Sequence, residues 1–385
     1  MHLQTNLPFT LPDLHDQAQI VSERIPGAKV IISPYRICPL GAHVDHQGGV
    51  VLGRTIHAGT VLSYAPSGGR EISITSDQFG EARFSLDEPI KLQHWSRYAQ
   101  AAARVFGDKL RRGMQACVSG SLVGVGLSSS ASVGLAYLKA LADVNEIELS
   151  NPQLVQLDFA LEYEQLGLQN GILDPLTIVY GQARALLFMD TLTASVKPVF
   201  DTAETDSLAW IVAFSGISRE LTKSGFNSRV AECHQAAALL QAGAYKLSDV
   251  PRAVFEQKKL SLPAALRRRA EHFFSEVERV QNGAQAWAEA DFASFGQMMN
   301  QSCESSIRSY ESGSEVLIQL HELVSSFPGV FGSRFSGGGY GGCVIALVQR
   351  VAAETIAASI AEQFSALRPE LPSAVYLVET DDGLR

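Results

Sequence analysis

Cysteine is scarce in this chain, with five among 385 residues, at positions 38, 117, 233, 303 and 343. The number is odd, the positions are scattered, and no Cys-x-x-Cys pair occurs. These features argue against a disulfide framework and against a structural zinc site. We therefore expect reduced thiols and a cytoplasmic protein.

Positive charge is also in short supply. Lysine and arginine number 31 against 40 aspartate and glutamate residues, which gives a net charge of −9. A general nucleic-acid binder needs a basic surface, so no nucleic-acid partner is expected. An anionic ligand would have to be met by a local positive site.

Long apolar runs are absent as well. None approaches the ~20 residues that a membrane-spanning helix needs. Residues 1–16 lack the basic start and the apolar stretch of a signal peptide. We therefore expect no membrane partner, and the sequence does not indicate an oligomeric state.

The chain is nevertheless rich enough in apolar residues (46%) to bury a large core, and its length favours two domains. Strand-like runs and helical patterns alternate in the first half, whereas the second half is helix-rich before it returns to strands. This order predicts an α+β fold rather than a doubly wound parallel sheet. We place the boundary in a polar, turn-rich stretch and predict domains at residues 1–205 and 206–385.

A serine- and glycine-rich loop, GSLVGVGLSSSAS, spans residues 120–132. Glycines free the backbone to approach a ligand, and the serines open a predicted helix whose unpaired N–H groups suit a phosphate. The loop has neither the Walker A pattern nor a dinucleotide GxGxxG pattern. The alternative interpretation is a glycine turn with an ordinary serine N-cap.

A second glycine-rich turn, SGGGYGGC, spans residues 336–343 between two predicted strands. A plain hairpin needs only one or two glycines, and the additional ones cost chain entropy. They indicate that a ligand or another backbone segment comes very close. A tightly packed hairpin is the alternative.

Three charged residues stand out between these runs. Arg36 follows an apolar strand and would need an anionic partner if buried. Glu162 lies late in a predicted helix, and Asp174 follows twelve positions later, so the two carboxylates could serve a cation and a proton. The alternatives are a structural ion pair for Arg36, a solvated helix face for Glu162 and an N-cap for Asp174. Trp95 is either an aromatic wall for a nucleotide base or part of the core.

Taken in order, three motifs resemble those of the GHMP small-molecule kinases, and within them the galactokinase-like sugar-1-kinases. PYRICPLGAHVDHQGG (34–49) resembles the galactokinase sugar signature GR-x-N-L-I-G-E-H-x-D-Y-x-G-G. GVGLSSSAS resembles the ATP-phosphate motif, and GSRFSGGGYGGCVIAL (332–347) resembles the third family motif. The match runs from about residue 28 to residue 348 and so covers most of the chain.

The resemblance implies a two-domain fold with the active site in the cleft between the domains, and ATP and Mg²⁺ as cofactors. It places Asp174 at the catalytic aspartate and Arg36 at the arginine that stabilises the transferring phosphate. Glu162 and Ser130 match the magnesium-holding positions. The ATP phosphates would be held by Gly124, Gly126, Leu127, Ser128, Ser129 and Ser130. The matching sugar positions are Ala42, His43, Asp45 and Phe226, and the third motif supplies Gly337, Gly338, Gly339, Gly341 and Gly342.

Ala42 departs from the galactokinase pattern, which has glutamate at this position near C6 of the sugar. If the substrate carried a C6 carboxylate, a glutamate ~4 Å away would cost about 4 kcal/mol at an effective dielectric of 20. That corresponds to roughly a thousandfold in affinity. The motif resembles the galacturonate-kinase branch, so the expected reaction is the ATP-dependent phosphorylation of a sugar acid, D-galacturonate, at its anomeric hydroxyl.

Two further departures bear on selectivity. Phe226 stands where the S-x-Y-x-x-R pattern of galactokinases has tyrosine, which puts discrimination at a sugar hydroxyl in doubt and leaves a broader uronic-acid or sugar 1-kinase as an alternative. Residues 304–314 resemble the SLRDDYEVS region of galactokinases but lack one aspartate. The cation that meets the carboxylate stays open among Arg219, Lys223, His43 and His46.

Three other functions compete with this one. The first is a galactokinase proper, in which Ala42 would have no bearing on the choice of sugar. The other two are a non-catalytic sugar sensor and a glycan-binding module, neither of which would need the serine- and glycine-rich loop together with Glu162 and Asp174. Kinases of mevalonate or homoserine share the two glycine motifs but lack the sugar-like signature at residues 35–49.

Overall fold

The computed structural model of the chain describes residue 11 and residues 13–218 and 225–385. The helices in these ranges are α1 (Leu14–Ser22), α2 (Arg97–Phe106), α3 (Ser129–Val144), α4 (Asn151–Ala160), α5 (Leu173–Tyr180), α6 (Phe226–Leu240), α7 (Arg252–Lys258), α8 (Ala264–Ala288), α9 (Phe292–Arg308), α10 (Glu315–Ser325) and α11 (Ala353–Leu367). The strands are β1 (Lys29–Leu40), β2 (Val50–Pro66), β3 (Glu71–Ser76), β4 (Gly80–Ser85), β5 (Met114–Gly120), β6 (Ala185–Asp190), β7 (Ser195–Phe200), β8 (Leu208–Phe214), β9 (Val330–Phe335), β10 (Cys343–Gln349) and β11 (Ala374–Val378).

The strands of the described ranges form two sheets. The first has the order β4-β3-β5-β2-β6-β7, with β1 paired to β2, and it is antiparallel except for the parallel pair β3 and β5. The second is antiparallel, in the order β11-β8-β10-β9. The α+β class expected from the sequence is therefore confirmed.

Apolar cores join the layers. Residues of β1, β2 and β5 pack with α2 to α5 in the largest core. A second core lies where α8 and α9 meet strands of both sheets, and Trp287 of α8 stacks there on Trp210 of β8. A third core joins the second sheet to α10 and α11.

The first sheet ends at Phe200 and the second begins at Leu208, so the predicted boundary at residues 205 and 206 falls between them. Helices that follow the boundary, α6 and α8 among them, nevertheless share the largest core with strands of the first sheet. The division into 1–205 and 206–385 stays a prediction.

Some local predictions were wrong. Strand β1 extends through Arg36 to Leu40, because its register with β2 continues across two irregularities, so Arg36 lies within the strand rather than after it. The stretch 191–207, expected to be polar turns, contains the edge strand β7. Ser128 precedes α3 in a left-handed conformation, and its side chain does not cap the helix.

All five cysteines are buried and unbridged. Among the described residues, no helix combines the length and the apolar character that a membrane crossing requires.

Candidate active site

Two neighbouring cavities contain most of the predicted site residues. The larger, of about 680 Å³, is lined by the serine- and glycine-rich loop. The smaller, of about 50 Å³, is lined by residues of the sugar-like signature and of the second glycine turn. Ser128 lines the first cavity and donates from Oγ to Oδ2 of Asp174, which lines the second, at 2.5 Å. The two cavities therefore meet at this hydrogen bond.

The larger cavity has the features of a nucleotide site. Among the predicted nucleotide residues, it is lined by Gly124, Gly126, Ser128, Ser129, Ser130 and Trp95. Ser129 and Ser130 begin α3, so the unpaired N–H groups of the first turn lie at its wall. Trp95 stacks on Phe79 with ring centroids 5.8 Å apart, which places an aromatic surface at the cavity. Leu127 is buried and lines neither cavity, but its carbonyl oxygen accepts from the backbone N–H of Arg36 at 3.2 Å.

The two glycine runs touch each other. A Cβ on Gly342 would lie 2.9 Å from the carbonyl oxygen of Val125 and 3.0 Å from Cα of Gly126. Gly126 and Gly342 also have positive φ angles of 92° and 93°. The expectation that another backbone segment approaches these glycines is thus confirmed. The second glycine turn packs directly against the serine- and glycine-rich loop of residues 120–132, which we call the phosphate-type loop.

The other glycines of the second turn divide between two roles. Gly337 and Gly338 line the smaller cavity. Gly339 and Gly341 have positive φ angles of 83° and 142°, and a Cβ on Gly339 would lie 2.8 Å from the backbone nitrogen of Gly313.

The centre of the smaller cavity is a buried ion pair. Arg36 donates from Nε to Oδ1 of Asp174 at 2.8 Å, and from Nη1 to the carbonyl oxygen of Ser336 at 3.1 Å. Burial opposes the positive charge of Arg36, but the carboxylate of Asp174 outweighs it, so the pKa of Arg36 is raised. Because Ser128 holds Oδ2, both oxygens of Asp174 are oriented by donors from different elements. Asp174 lies in the first turn of α5 and is not its N-cap.

Asp45 carries the second carboxylate of this cavity. Burial, reinforced by the nearby charge of Asp174, raises the pKa of Asp45 to about 6. Ala42 and Phe226 form apolar parts of the same wall, and Ala42 is 7% exposed. The wall at residue 42 is therefore a methyl group without charge.

A cluster of rings supports the signature loop. The imidazole of His43, which also lines the smaller cavity, stacks on Tyr310 at 4.1 Å, and its Nε2 lies 3.1 Å from Oγ of Ser312. Both ring nitrogens of His46 are engaged, Nε2 with the hydroxyl of Tyr310 and Nδ1 with the amide of Gln47. Burial lowers the pKa of His46 to about 3, so this ring is neutral at pH 7.

These contacts narrow the candidates for a cation near the sugar. His46 is wrong as a candidate because it is neutral, saturated with hydrogen bonds and absent from the lining of the smaller cavity. His43 lines that cavity. Arg219 and Lys223 lie outside the described residues.

The two residues predicted to hold a metal do not line the same cavity. Ser130 lines the larger cavity, whereas Glu162 lines neither one. Glu162 is 3% exposed rather than solvated, lies in the π-helical turn Leu161–Gln165, and accepts from Nδ2 of Asn170 at 3.0 Å. Asp158, four residues earlier, is fully buried, and neither of its carboxylate oxygens has a hydrogen-bond partner among the described residues.

Several residues of the site were missed by the sequence analysis. They are Asn170, His272, Glu276, Ser312 and Ser336. Ser336 begins the second glycine-rich turn and Asn170 lies four positions before Asp174, so both were within reach of a pattern search. His272 and Glu276 sit in a long helix full of charged residues, where no sequence signal separates them from a solvated face.

The chain is similar to known proteins in family, sequence and fold. The GHMP kinases N terminal domain matches residues 97–182, and the GHMP kinases C terminal domain matches residues 284–366. The chain is 39% identical to a galacturonokinase of Arabidopsis thaliana, with 93% of each chain covered. It is 30% identical to a galactokinase of Roseiflexus sp. (strain RS-1), with 92% of each covered.

Solved structures agree on the fold. A galactokinase from Lactococcus lactis, crystallised with galactose, superposes with a TM-score of 0.87 at 24% identity, over 97% of this chain and 99% of that one. A mevalonate kinase superposes less well, with a TM-score of 0.65 at 16% identity over 91% and 99%.

Proposed function

The chain belongs to the GHMP kinases, in which it is an ATP-dependent sugar-1-kinase, and we propose that it phosphorylates D-galacturonate at the anomeric hydroxyl. The observation that carries the choice of sugar is Ala42 in the wall of the smaller cavity. The 39% identity to a galacturonokinase over 93% of the chain supports it independently.

The larger cavity is proposed to hold ATP. The first turn of α3 and the glycines before it offer backbone N–H groups to the phosphates, and the Phe79–Trp95 stack offers a surface for the base. The contact between Gly126 and Gly342 fixes the position of the serine- and glycine-rich loop against the second glycine turn, because neither glycine has room for a side chain. A phosphate seated here would point towards the hydrogen bond between Ser128 and Asp174.

The smaller cavity is proposed to hold the sugar. Asp174 orients the anomeric hydroxyl and accepts its proton, and Arg36 balances the charge on the transferring phosphoryl group. Phosphoryl transfer depends mainly on positioning and charge neutralisation, so a carboxylate whose two oxygens are fixed by Arg36 and Ser128 suits this role. Asp45 accepts hydrogen bonds from sugar hydroxyls in its ionised form.

The oxygen donors present fit a magnesium ion. Mg²⁺ bound to a nucleotide takes few protein ligands and fills its coordination with phosphate oxygens and water. Ser130 and Glu162 would hold it. The ion, when bound, supplies positive charge to the phosphate oxygens. No larger His, Cys, Asp and Glu cluster of the kind that holds a metal by itself occurs in the described part of the chain.

The absence of a carboxylate at residue 42 is what favours a sugar acid. A glutamate there would face the C6 carboxylate at a cost of about 4 kcal/mol. Alanine removes that repulsion and leaves space next to the sugar's C6 position. Phe226 cannot donate a hydrogen bond, so recognition of the neighbouring hydroxyls falls to Asp45 and the backbone.

Release of ADP in the presence of ATP and magnesium tests the proposal. Galacturonate, glucuronate and galactose are compared as acceptors under identical conditions. Turnover of galacturonate with a kcat/KM at least tenfold above that of galactose is the expected result. Efficient turnover of galactose with none of galacturonate overturns the proposed substrate, and equal turnover of both uronic acids would trace relaxed selectivity to Phe226.

A further inference from the structure

One face of helix α8 binds two peptide groups of the sugar-like signature (residues 34–49), one on each side of the Gly41–Ala42 peptide. Glu276 accepts from the backbone N–H of Gly41 at 2.8 Å. Nε2 of His272 lies 2.9 Å from the carbonyl oxygen of Ala42. The two side chains are four residues apart in the helix and therefore lie on the same face.

The hydrogen-bond partners of His272 fix its tautomer. A carbonyl oxygen can only accept, so Nε2 must carry the proton, and Nδ1 then accepts from the hydroxyl of Ser305 at 2.9 Å. Burial lowers the pKa of His272 to about 4, so the ring is neutral at pH 7. The ring is fully buried and does not line the sugar cavity.

The peptide between Ala42 and His43 is held in its less favourable orientation. His43 has a φ of +64°, a conformation that non-glycine residues adopt rarely. Rotating this peptide by half a turn would return His43 to a negative φ, as in the exchange between type II and type I turns. The rotation would also break the bond to His272 and swing the carbonyl of Ala42 towards the cavity.

We infer that His272 is a positioning residue for substrate specificity, which keeps the carbonyl oxygen of Ala42 turned away from the sugar. The inference rests on the proposed function, because it concerns the wall that faces C6. With the carbonyl turned away, this wall offers a methyl group and no hydrogen-bond acceptor. A carboxylate finds no negative atom there.

The consequence differs between the two sugars. A carbonyl oxygen turned into the cavity would repel the C6 carboxylate of galacturonate. The same oxygen would accept a hydrogen bond from the C6 hydroxyl of galactose. Loss of the bond from His272 should therefore lower the preference for galacturonate, which a general loss of stability would not do.

The test compares two amide substitutions that differ in reach. His272→Gln places an amide donor near the position of Nε2, whereas His272→Asn ends one carbon earlier, towards Ser305. The measured quantity is the ratio of kcat/KM for galacturonate to that for galactose, with the KM for ATP and the melting temperature recorded alongside. We expect H272N to lower the ratio about tenfold or more, mainly through the KM for galacturonate, and H272Q to stay within about threefold of the wild type.

Two results separate the inference from the function on which it rests. If the wild type prefers galacturonate and H272N keeps the same ratio, the role of His272 is overturned while the proposed function stands. If the wild type prefers galactose, the proposed function fails and the inference falls with it. Should H272N not fold, His272→Met serves instead: it fills the same space without an N–H donor for the carbonyl oxygen of Ala42, and an unchanged ratio in that variant overturns the inference.

Discussion

Arg36 and Asp174 form a buried ion pair, with 2.8 Å between Nε and Oδ1, although 138 positions separate them in the sequence. The pair joins β1 to the first turn of α5 and lies at the junction of the two cavities. Each residue orients the other, so the proposed proton acceptor and the proposed phosphate-stabilising cation are set as one unit. Substitution of either should affect catalysis more than substrate binding.

Asp174→Asn provides the first prediction. The amide keeps the size of the side chain but does not accept the proton of the anomeric hydroxyl, so kcat should fall about a hundredfold or more. Steady-state kinetics measure it, with the KM for ATP expected to change little.

The matched control for this variant is Asp201→Asn. Asp201 pairs with Arg54 at 2.5 Å and is similarly buried, but it lines neither cavity. D201N should lower the melting temperature and leave kcat unchanged. Equal losses of kcat in both variants would show that Asp174 acts only through the fold.

The pH dependence of kcat/KM for the sugar should follow the ionisation of Asp45. Its pKa is raised to about 6, so the carboxylate is ionised above that value and protonated below it. The substrate carboxyl stays ionised in this range because its pKa is about 4. We expect kcat/KM for the sugar to rise with pH through about 6 to a plateau, since this parameter reports the free enzyme. Asp45→Asn should abolish this step, and a step that persists in D45N assigns it to another group.

Gly342→Ala should weaken ATP binding. The added Cβ would lie 2.9 Å from the carbonyl oxygen of Val125, at a φ of +93°. The phosphate-type loop would have to shift, which should raise the KM for ATP about tenfold, together with a loss of stability of about 1–3 kcal/mol. Gly243→Ala is the control, because Gly243 also has a positive φ, of 82°, but no atom of the described residues lies within 4 Å of the added Cβ. A KM for ATP that rises equally in both variants would remove the loop contact as the cause.

Asp158 should make stability depend on pH in metal-free buffer. Burial, with the charges of Glu162 and Asp174, raises its pKa well above the usual range. The folded state then retains a proton that the unfolded chain releases above pH ~4, so this group lowers stability as the pH rises. The amide of Asp158→Asn cannot ionise. The melting temperature of D158N minus that of the wild type should therefore increase between pH 5 and pH 8.

Asp249→Asn is the control of opposite sign. Backbone hydrogen bonds from Lys246 and Tyr245 lower the pKa of Asp249, so its stabilisation is present at neutral pH and disappears in acid. The wild type should thus exceed D249N by a constant margin between pH 5 and pH 8 and converge on it only below pH ~4. Parallel melting curves for D158N and the wild type across this range would contradict the assignment for Asp158.

The parts of the site that the sequence could predict are those written in contiguous patterns. The loop at residues 120–132 and the turn at 336–343 contain enough glycine to predict that another backbone segment or a ligand lies close to them. The structure brings Gly126 and Gly342 together. The residues opposite Ala42 are different. His272 and Glu276 meet the signature loop only because α8 packs across it, and helical periodicity does not reveal which polar residues face inward.

Predictions from local sequence were also wrong where contacts between distant segments determine the structure. Strand β1 continues through Pro34 and Pro39 because β2 is long enough to pair with it beyond the first irregularity. An ordinary serine N-cap was the alternative interpretation of this loop, but the hydroxyl of Ser128 donates to Asp174, from another helix. Both differences arise from contacts between segments far apart in the chain, which a reading of neighbouring residues does not contain.

The most direct test of the proposed substrate is a pair of substitutions at Ala42. Ala42→Glu adds bulk and negative charge, and Ala42→Gln adds nearly the same bulk without charge. We predict that A42E lowers kcat/KM for galacturonate about a thousandfold relative to the wild type, that A42Q lowers it about tenfold, and that A42E gains activity on galactose. Equal effects of A42E and A42Q on galacturonate, with no change on galactose, would contradict the claim that residue 42 faces the carboxylate of the substrate.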